Sequence, residues 1–369
     1  MKYKFYFLAY LAMTMLLVSC VTIDMTKMPQ ADKEPDRLTK KYIKELKYGN
    51  AKQRMEACWK LGKAPVNRFP EIIPLLIEAL KDPHPKVRAN AAGGLSQLGL
   101  EASVAKSALM EALNDVYGRV VLNAAIALRN MDTPNSQIIP AVRRVLNDQK
   151  GTFRVGAASQ LRKMGIKDKE VMPVFMSVLS DSDVKARRSA MKELLKIRYL
   201  PRSTLPNIIY AIRDPDLSVR LQAIILLQHN YGKPPKEALN PLIEVLYDPS
   251  DTVVGHAADA LGGYGKSAQK AVPKLLKILQ TSSDDQARTR AAESLGKIGI
   301  PKNEIAPVLA RVLSSDKHWV VQLRAADALG KLGYKDSLVI SALKKAVTQG
   351  ENPAIRNAAT NSLRKLGVK

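Results

Sequence analysis

The sequence predicts an all-α fold, an α-solenoid (superhelix) of about ten helical hairpins. Three observations predict it. First, an Ala followed four residues later by a Leu recurs along the 369-residue chain at intervals of 33 or 34 residues. Second, apolar residues within each copy recur at helical spacing. Third, in six of the copies a Gly suited to end a helix follows four residues after the Leu.

The repeat runs without a gap through most of the chain. Its Ala column has ten members: Ala57, Ala91, Ala124, Ala157, Ala190, Ala223, Ala257, Ala291, Ala325 and Ala359. Only 5% of the residues are aromatic, so Leu, Ile, Val and Ala must form most of the core. One hairpin of this length cannot bury its apolar face alone, whereas a stack of hairpins shares one continuous core.

Each unit is predicted to contain two helices. In the unit around Ala91, "EIIPLLIEAL" (71–80) forms the first helix and "PKVRANAAGGLSQL" (85–98) forms the second. Pro is tolerated near the start of the first helix. Asp82 lies between the two helices, where a carboxylate can cap the second helix. It also lies six residues before Arg88, close enough in a tight turn for a charge-assisted hydrogen bond.

The pattern D-x5-R-x2-A-x3-L followed by Gly resembles the HEAT repeat, in the short variant found in phycobilisome-lyase-like proteins. The resemblance covers about residues 38–369. It implies a hydrogen-bonded ladder of Asp and Arg between units. The units that hold both residues are Asp82 with Arg88, Asp148 with Arg154, Asp181 with Arg187, and Asp214 with Arg220. Units with Val121, Val254 or Gln322 at the Arg position lack this contact, and the first unit, around Trp59, is expected to act as a cap.

The N-terminus resembles a bacterial lipoprotein signal. Residues 1–20, "MKYKFYFLAYLAMTMLLVSC", combine two Lys, an apolar run and the lipobox-like ending "LVSC". We therefore predict a signal peptide at 1–19, a lipidated Cys20 with a tether over 20–36, and the repeat solenoid over 37–369. An uncleaved membrane anchor is the alternative. Val21, rather than Asp, follows Cys20 and favours the outer membrane where the host has one.

No catalytic, cofactor-binding or metal-ligating residue is predicted. The four His residues fall in different units and none is followed by Glu, unlike the iron-binding dipeptides of the HEAT-repeat deoxyhypusine hydroxylase. Gly-rich phosphate loops and GxSxG motifs are absent from the sequence. We therefore expect neither a cofactor nor an enzymatic activity, and nothing singles out a pigment site of the kind found in related lyases.

The exposed positions of the second helices are predicted to line the concave surface. Near the C-terminus they combine into oppositely charged couples three residues apart: His256 with Asp259, Arg290 with Glu293, and Arg324 with Asp327. As a function, these six residues would form a charged surface for a protein partner. As plain structure, they would be exposed ion pairs worth a few tenths of a kcal/mol each. The sequence favours neither interpretation over the other.

A basic surface provides the second candidate site. The chain carries a net charge of +24, and a stripe of cations is expected on one helical face: Lys185, Arg188, Lys192 and Lys196, with Arg162 and Lys163 in the preceding unit. Such a stripe suits anionic lipid or phosphate. An ordinary solvated basic face is the alternative. Few aromatic residues are available to stack on bases, which disfavours nucleic acid.

Taken together, these features predict an envelope-anchored scaffold that binds a protein partner, of unspecified identity, along its concave face. The alternative function is electrostatic binding of anionic lipid or an envelope polymer.

Overall fold

The computed structural model describes residues 30–148, 150–231 and 234–368. Within these ranges the chain is helical and contains no β-strand, which confirms the predicted all-α solenoid. The chain divides into two compact units, one ending at Ile138 and the other beginning at Ile139.

The first unit contains three hairpins, and the unit boundary falls inside the seventh helix. Its helices are α1 (Gln30–Tyr48), α2 (Ala51–Leu61), α3 (Ile72–Ala79), α4 (Pro85–Leu98), α5 (Lys106–Ala112), α6 (Gly118–Asn130) and α7 (Asn135–Arg144). A 3₁₀ helix, Gly99–Ala105, precedes α5.

The second unit continues the same alternation of first and second helices. Its helices are α8 (Gly151–Lys163), α9 (Asp168–Val178), α10 (Val184–Leu194), α11 (Leu205–Ala211), α12 (Leu217–His229), α13 (Leu239–Val245), α14 (Asp251–Gly262), α15 (Val272–Thr281), α16 (Asp285–Ile298), α17 (Lys302–Ser315), α18 (Trp319–Leu332), α19 (Ser337–Gln349) and α20 (Pro353–Lys365). Short 3₁₀ helices cover Val145–Asn147, Arg202–Thr204, Lys236–Ala238 and Gly265–Ala271.

The repeated Ala column forms the centre of the core. All ten of its members have a relative exposure of 0%, and the following Leu is buried in each repeat except at Leu363. The small Ala side chain lets neighbouring second helices approach closely, and the Leu fills the layer beneath. The six glycines predicted to suit a helix end have the positive φ that such a role requires: Gly99, Gly165, Gly265, Gly299, Gly333 and Gly367.

The Asp of the repeat does not cap the second helix as expected. Its carboxylate instead accepts the N–H two residues further on, as Asp82 does from His84 at 2.8 Å. Two residues separate this Asp from the helix start, so the capping position falls later in the turn. There, Asp183, Asp216 and Asp284 accept N–H groups from the first turns of α10, α12 and α16.

A second column of small residues sets the distance between successive second helices. In three repeats of the second unit a Gly lies five residues after the column Ala and faces a small residue three residues after the next column Ala, as Gly296 faces Ala328. A Cβ on residue 296 would stand 2.7 Å from the Ala328 Cβ and 2.8 Å from its Cα. Gly262 meets Ser294 in the same way, and the Ser294 hydroxyl donates to the Ala258 carbonyl at 2.7 Å.

The start of α1 lies inside the segment expected to be a tether. Helix α1 begins at Gln30, so residues 30–36 are helical. The predicted signal peptide and Cys20 lie outside the described residues. Among the helices that the structure describes, none is both long enough and apolar enough to cross a bilayer.

Candidate partner-binding surface

A ladder of Arg–Asp pairs holds the turns of successive repeats together, but its partners differ from those expected. Each Arg pairs with the carboxylate of the next repeat rather than with the Asp of its own turn. The pairs, at 2.6 to 3.0 Å, are Arg54–Asp82, Arg88–Asp115, Arg154–Asp181, Arg187–Asp214, Arg220–Asp248 and Arg288–Asp316.

Within one turn, the contact runs through the backbone. Nη1 of Arg88 donates to the Asp82 carbonyl oxygen at 2.9 Å, and Arg187 and Arg220 make the same bond to Asp181 and Asp214. The guanidinium therefore bridges two repeats. One of its nitrogens donates to a backbone carbonyl of its own turn, and two others donate to the carboxylate of the next repeat. Arg154 follows the shifted pairing with Asp181, whereas Asp148 accepts the Lys150 N–H.

A sequence signal for this shifted pairing exists. Where Val254 replaces the Arg, the Asp position of the next repeat holds Ser282, and where Gln322 replaces it, the next repeat holds Gly350. Arg and Asp are lost together at these two interfaces, as expected for direct partners, whereas at a third interface Val121 replaces the Arg and Asp148 remains. Gln322 keeps only the backbone half of the contact, donating to the Asp316 carbonyl at 2.6 Å.

The six predicted partner-binding residues lie at matching positions on three second helices. His256 and Asp259 lie on α14, Arg290 and Glu293 on α16, and Arg324 and Asp327 on α18; all six are half-buried. We call these six residues the charged floor. Since α14, α16 and α18 pack against one another in turn, the floor is a continuous surface within the second unit.

Ion pairing on the charged floor differs from the expected three couples. Arg324 and Asp327 form the expected pair at 3.6 Å. Glu293 instead pairs with Lys297, one helical turn further on, at 3.1 Å. Lys297 also reaches back to Asp259 at 3.3 Å, and Gln228 donates to the same carboxylate at 2.6 Å. A hydrogen-bonded network therefore links three successive repeats, and Gln228 and Lys297 are the members that sequence reasoning missed.

Two titrating groups of the charged floor are perturbed by this network. Burial opposes ionisation of Asp259, but the Gln228 hydrogen bond and the Lys297 ammonium outweigh it and hold the pKa of Asp259 below its usual value. Burial, followed by the nearby Arg290 guanidinium, lowers the pKa of His256. At neutral pH the floor therefore presents an ionised Asp259 beside an uncharged His256.

Half of the basic stripe is engaged in ion pairs with other residues of the chain. Arg162 pairs with Asp168 at 2.5 Å and with the buried Glu193 at 3.5 Å, and Lys196 also pairs with Glu193. Arg188 forms a two-pronged pair with Asp216, its Nε lying 2.9 Å from Oδ1. Lys196 lies beyond the end of α10, so the four cations do not share one helix. Three members remain exposed and form no ion pair within the described residues: Lys163, Lys185 and Lys192.

Arg162 occupies a packing position rather than a free surface. It lies five residues after Ala157, and Gly296 holds the same position in a later repeat. Its partner Glu193 holds the repeat position that Ala328 holds opposite Gly296. A partly buried ion pair replaces the small-residue contact at this interface. Among the described residues, no group of three or more His, Cys, Asp or Glu side chains could hold a metal ion.

The comparison with known protein families agrees with the repeated helical hairpins of the structure. The sequence profile of HEAT repeats matches residues 39–129, 205–296 and 272–364, which together make up more than half of the chain. The chain belongs to the HEAT-repeat family. This family assignment confirms the HEAT resemblance, although not its narrower phycobilisome-lyase-like form.

A solved structure resembles the HEAT-repeat chain in fold. An engineered protein from the Northeast Structural Genomics Consortium is 21% identical, with a TM-score of 0.55, and the match covers 89% of this chain and 98% of that one. A second engineered protein from the same consortium is 22% identical over 53% of this chain and 96% of its own, with a TM-score of 0.42. No curated protein matches the chain.

Proposed function

We propose that this HEAT-repeat protein is a non-enzymatic scaffold that binds a protein partner on the charged floor. The floor lies on the second-helix face, which is the concave face of the predicted superhelix. The observation that carries the proposal is the network through Lys297, which fixes Asp259 and Glu293 of adjacent repeats in one arrangement. Charged groups held in place before binding lose less conformational freedom when a partner docks.

The unpaired part of the floor supplies the recognition elements. Arg290 forms no ion pair in the described structure, and the Arg324–Asp327 contact is long enough at 3.6 Å to be exchanged for a partner's carboxylate. Arg guanidinium groups bind carboxylates through two parallel hydrogen bonds. A partner with acidic side chains spaced one repeat apart would therefore engage Arg290 and Arg324 together.

Reversing the charge of the two floor arginines tests this proposal. We expect the variant Arg290→Glu/Arg324→Glu to retain about tenfold less of a defined partner protein from native envelope extract, measured by affinity capture and mass spectrometry. The matched control is Arg311→Glu/Lys344→Glu, which changes the net charge equally but alters the first helices α17 and α19. Equal loss in both variants would contradict the floor as the binding site.

The same capture distinguishes the electrostatic alternative. A partner bound by shape and charge together remains through a wash at moderate salt. Anionic lipid or polymer held only by exposed Lys side chains is lost in that wash, because surface electrostatics are screened. Recovery of lipid or polymer alone would support Lys163, Lys185 and Lys192 as the functional residues.

Anchoring at the bacterial cell envelope through a lipidated Cys20 is the second part of the proposal. It is supported by the signal-like sequence that ends at this Cys. Cells grown with an alkyne-labelled fatty acid should incorporate the label into the protein, and Cys20→Ser should abolish incorporation and release the protein from membranes. Labelling that persists in the Cys20→Ser variant would contradict this assignment.

A further inference from the structure

Gly93 has no explanation in the packing of the chain. Gly in the middle of a helix is about 1 kcal/mol less favourable than Ala. Its neighbour Gly94 is required by packing, because a Cβ there would stand 2.6 Å from the Cys58 carbonyl oxygen. At residue 93 a Cβ would meet nothing closer than the Asn123 Nδ2 at 3.4 Å and the Trp59 Cζ3 at 4.0 Å, which are ordinary contacts. The chain therefore omits a side chain where there is room for one.

The omitted side chain leaves a notch beside an exposed tryptophan. Trp59 on α2, Gly93 on α4 and Ile126 on α6 each lie two residues after the column Ala of their repeat. Gly93 forms the bottom of this notch, with the edge of the Trp59 ring on one side and the Asn123 amide on the other. Trp59 is 47% exposed. We call this depression the Gly93 notch; an apolar side chain from outside could fill the space and cover the indole.

The Asn123 amide borders the notch, and the Asn90 amide lies one helical turn before Gly93 on α4; hydrogen bonds hold both. Asn90 donates through Nδ2 to the Met55 carbonyl at 2.9 Å, and Asn123 donates to the Ala89 carbonyl at 2.7 Å. Each amide nitrogen is therefore committed to the preceding second helix. Among the described residues nothing donates to either Oδ1 atom, so both can accept a hydrogen bond, and the backbone N–H groups of an extended peptide are suitable donors.

The charge around the notch is positive. Lys52, Glu56 and Trp59 share one face of α2, Lys63 lies two residues after the end of this helix, and Lys86 lies on the face of α4 that carries Gly93. All three Lys side chains are exposed, and none forms an ion pair within the described residues. Lys63 lies over the Trp59 ring, its Nζ 5.1 Å from the centroid. Glu56 is the single carboxylate on these two faces.

We propose that the Gly93 notch docks an extended acidic segment of a partner protein, which places one apolar side chain over Gly93 and against Trp59. The acidic groups of the segment would pair with Lys52, Lys63 and Lys86. The proposal goes beyond the function proposed above, because the notch belongs to the first unit and the charged floor to the second. The two proposals are tested by separate experiments: affinity capture with the charged-floor variant, and peptide binding with the notch variants described next. Either experiment can fail without affecting the other.

Selection from a phage-displayed library of random twelve-residue peptides tests the proposal on the full chain. We expect the enriched peptides to place an apolar residue among Asp and Glu. Their synthetic versions should shift the fluorescence of Trp59, read in a Trp319→Phe variant that leaves Trp59 as the only tryptophan. Gly93→Leu fills the notch and should weaken peptide binding by about tenfold or more, as should Trp59→Ala and the charge reversal Lys52→Glu/Lys86→Glu.

Control variants separate loss of the notch from loss of the fold. Gly93→Ala should melt at a higher temperature than the parent, because the Cβ fits and the helix gains propensity. Gly93→Leu should keep the helical circular dichroism of the parent. The proposal is overturned if no peptide is enriched, if the enriched peptides are basic, or if they bind Gly93→Leu as tightly as the parent.

Discussion

Replacing Gly296 by Ala is expected to lower the free energy of unfolding by about 1 to 3 kcal/mol, although Ala is the better helix former. A Cβ on residue 296 would stand 2.8 Å from the Ala328 Cα, so the backbone of α18 would have to move away from α16. Rigid helices can move only by opening the interface between the two repeats. The loss appears as a lower urea midpoint when helical circular dichroism is followed.

Gly255→Ala is the matched control for this prediction. Gly255 also lies inside a second helix of the same unit, but a Cβ there would meet its nearest neighbours at 3.4 Å. We expect Gly255→Ala to leave the urea midpoint unchanged or to raise it slightly through helix propensity. A midpoint for Gly296→Ala equal to that of Gly255→Ala would show that the small-residue column does not set the helix spacing.

Removing one member of the Arg ladder should be more harmful than removing both. Arg288→Val leaves the Asp316 carboxylate, 8% exposed, without its guanidinium partner and should lower the free energy of unfolding by about 2 to 3 kcal/mol. The double variant Arg288→Val/Asp316→Ser should recover much of this loss. It reproduces the couple Val254 and Ser282, which the chain already contains at the preceding interface. The single variant Asp316→Ser completes the cycle: if its loss and that of Arg288→Val simply added in the double variant, direct pairing between these two residues would be contradicted.

The same pair predicts a dependence of stability on pH. Burial alone would raise the pKa of Asp316, but the hydrogen bonds from Arg288 and from the His318 N–H outweigh it and hold this pKa below its usual value. The carboxylate therefore stabilises the folded chain above its unfolded pKa of about 3.9, and this contribution is lost as pH falls through the lower folded value. The stability difference between the parent and Asp316→Asn should be widest near neutral pH and should close below about pH 4.

Much of the fold followed from periodicity alone. The ten Ala positions, the six terminal glycines and the alternation of first and second helices are local patterns that repeat, so one correct unit predicts the others. The ladder residues were also recognisable from the sequence. Their pairing across repeats was only partly recoverable, because Val254 precedes Ser282 and Gln322 precedes Gly350 by one repeat, but Val121 precedes Asp148.

The candidate sites were less predictable, because their chemistry depends on contacts between helices about 34 residues apart. Arg162 belongs to the basic stripe by sequence, yet it reaches Asp168 at the start of α9 and Glu193 in the next repeat. Lys297 lies on the same helix as Glu293, but nothing local shows that it also reaches Asp259.

The amino-acid pattern thus established which residues form helices, which of them are buried and how many hairpins stack, because these properties depend on spacing along one helix. The rotation and distance between successive second helices emerged only in the folded chain. They decide whether a charged side chain lies unpaired on the charged floor of the described structure, as Arg290 does, or pairs with an acid in the next repeat, as Arg162 does. They also leave Gly93 uncovered beside Trp59 and bring Gly296 into contact with Ala328. Both outcomes follow from how closely two helices can approach where a side chain is missing.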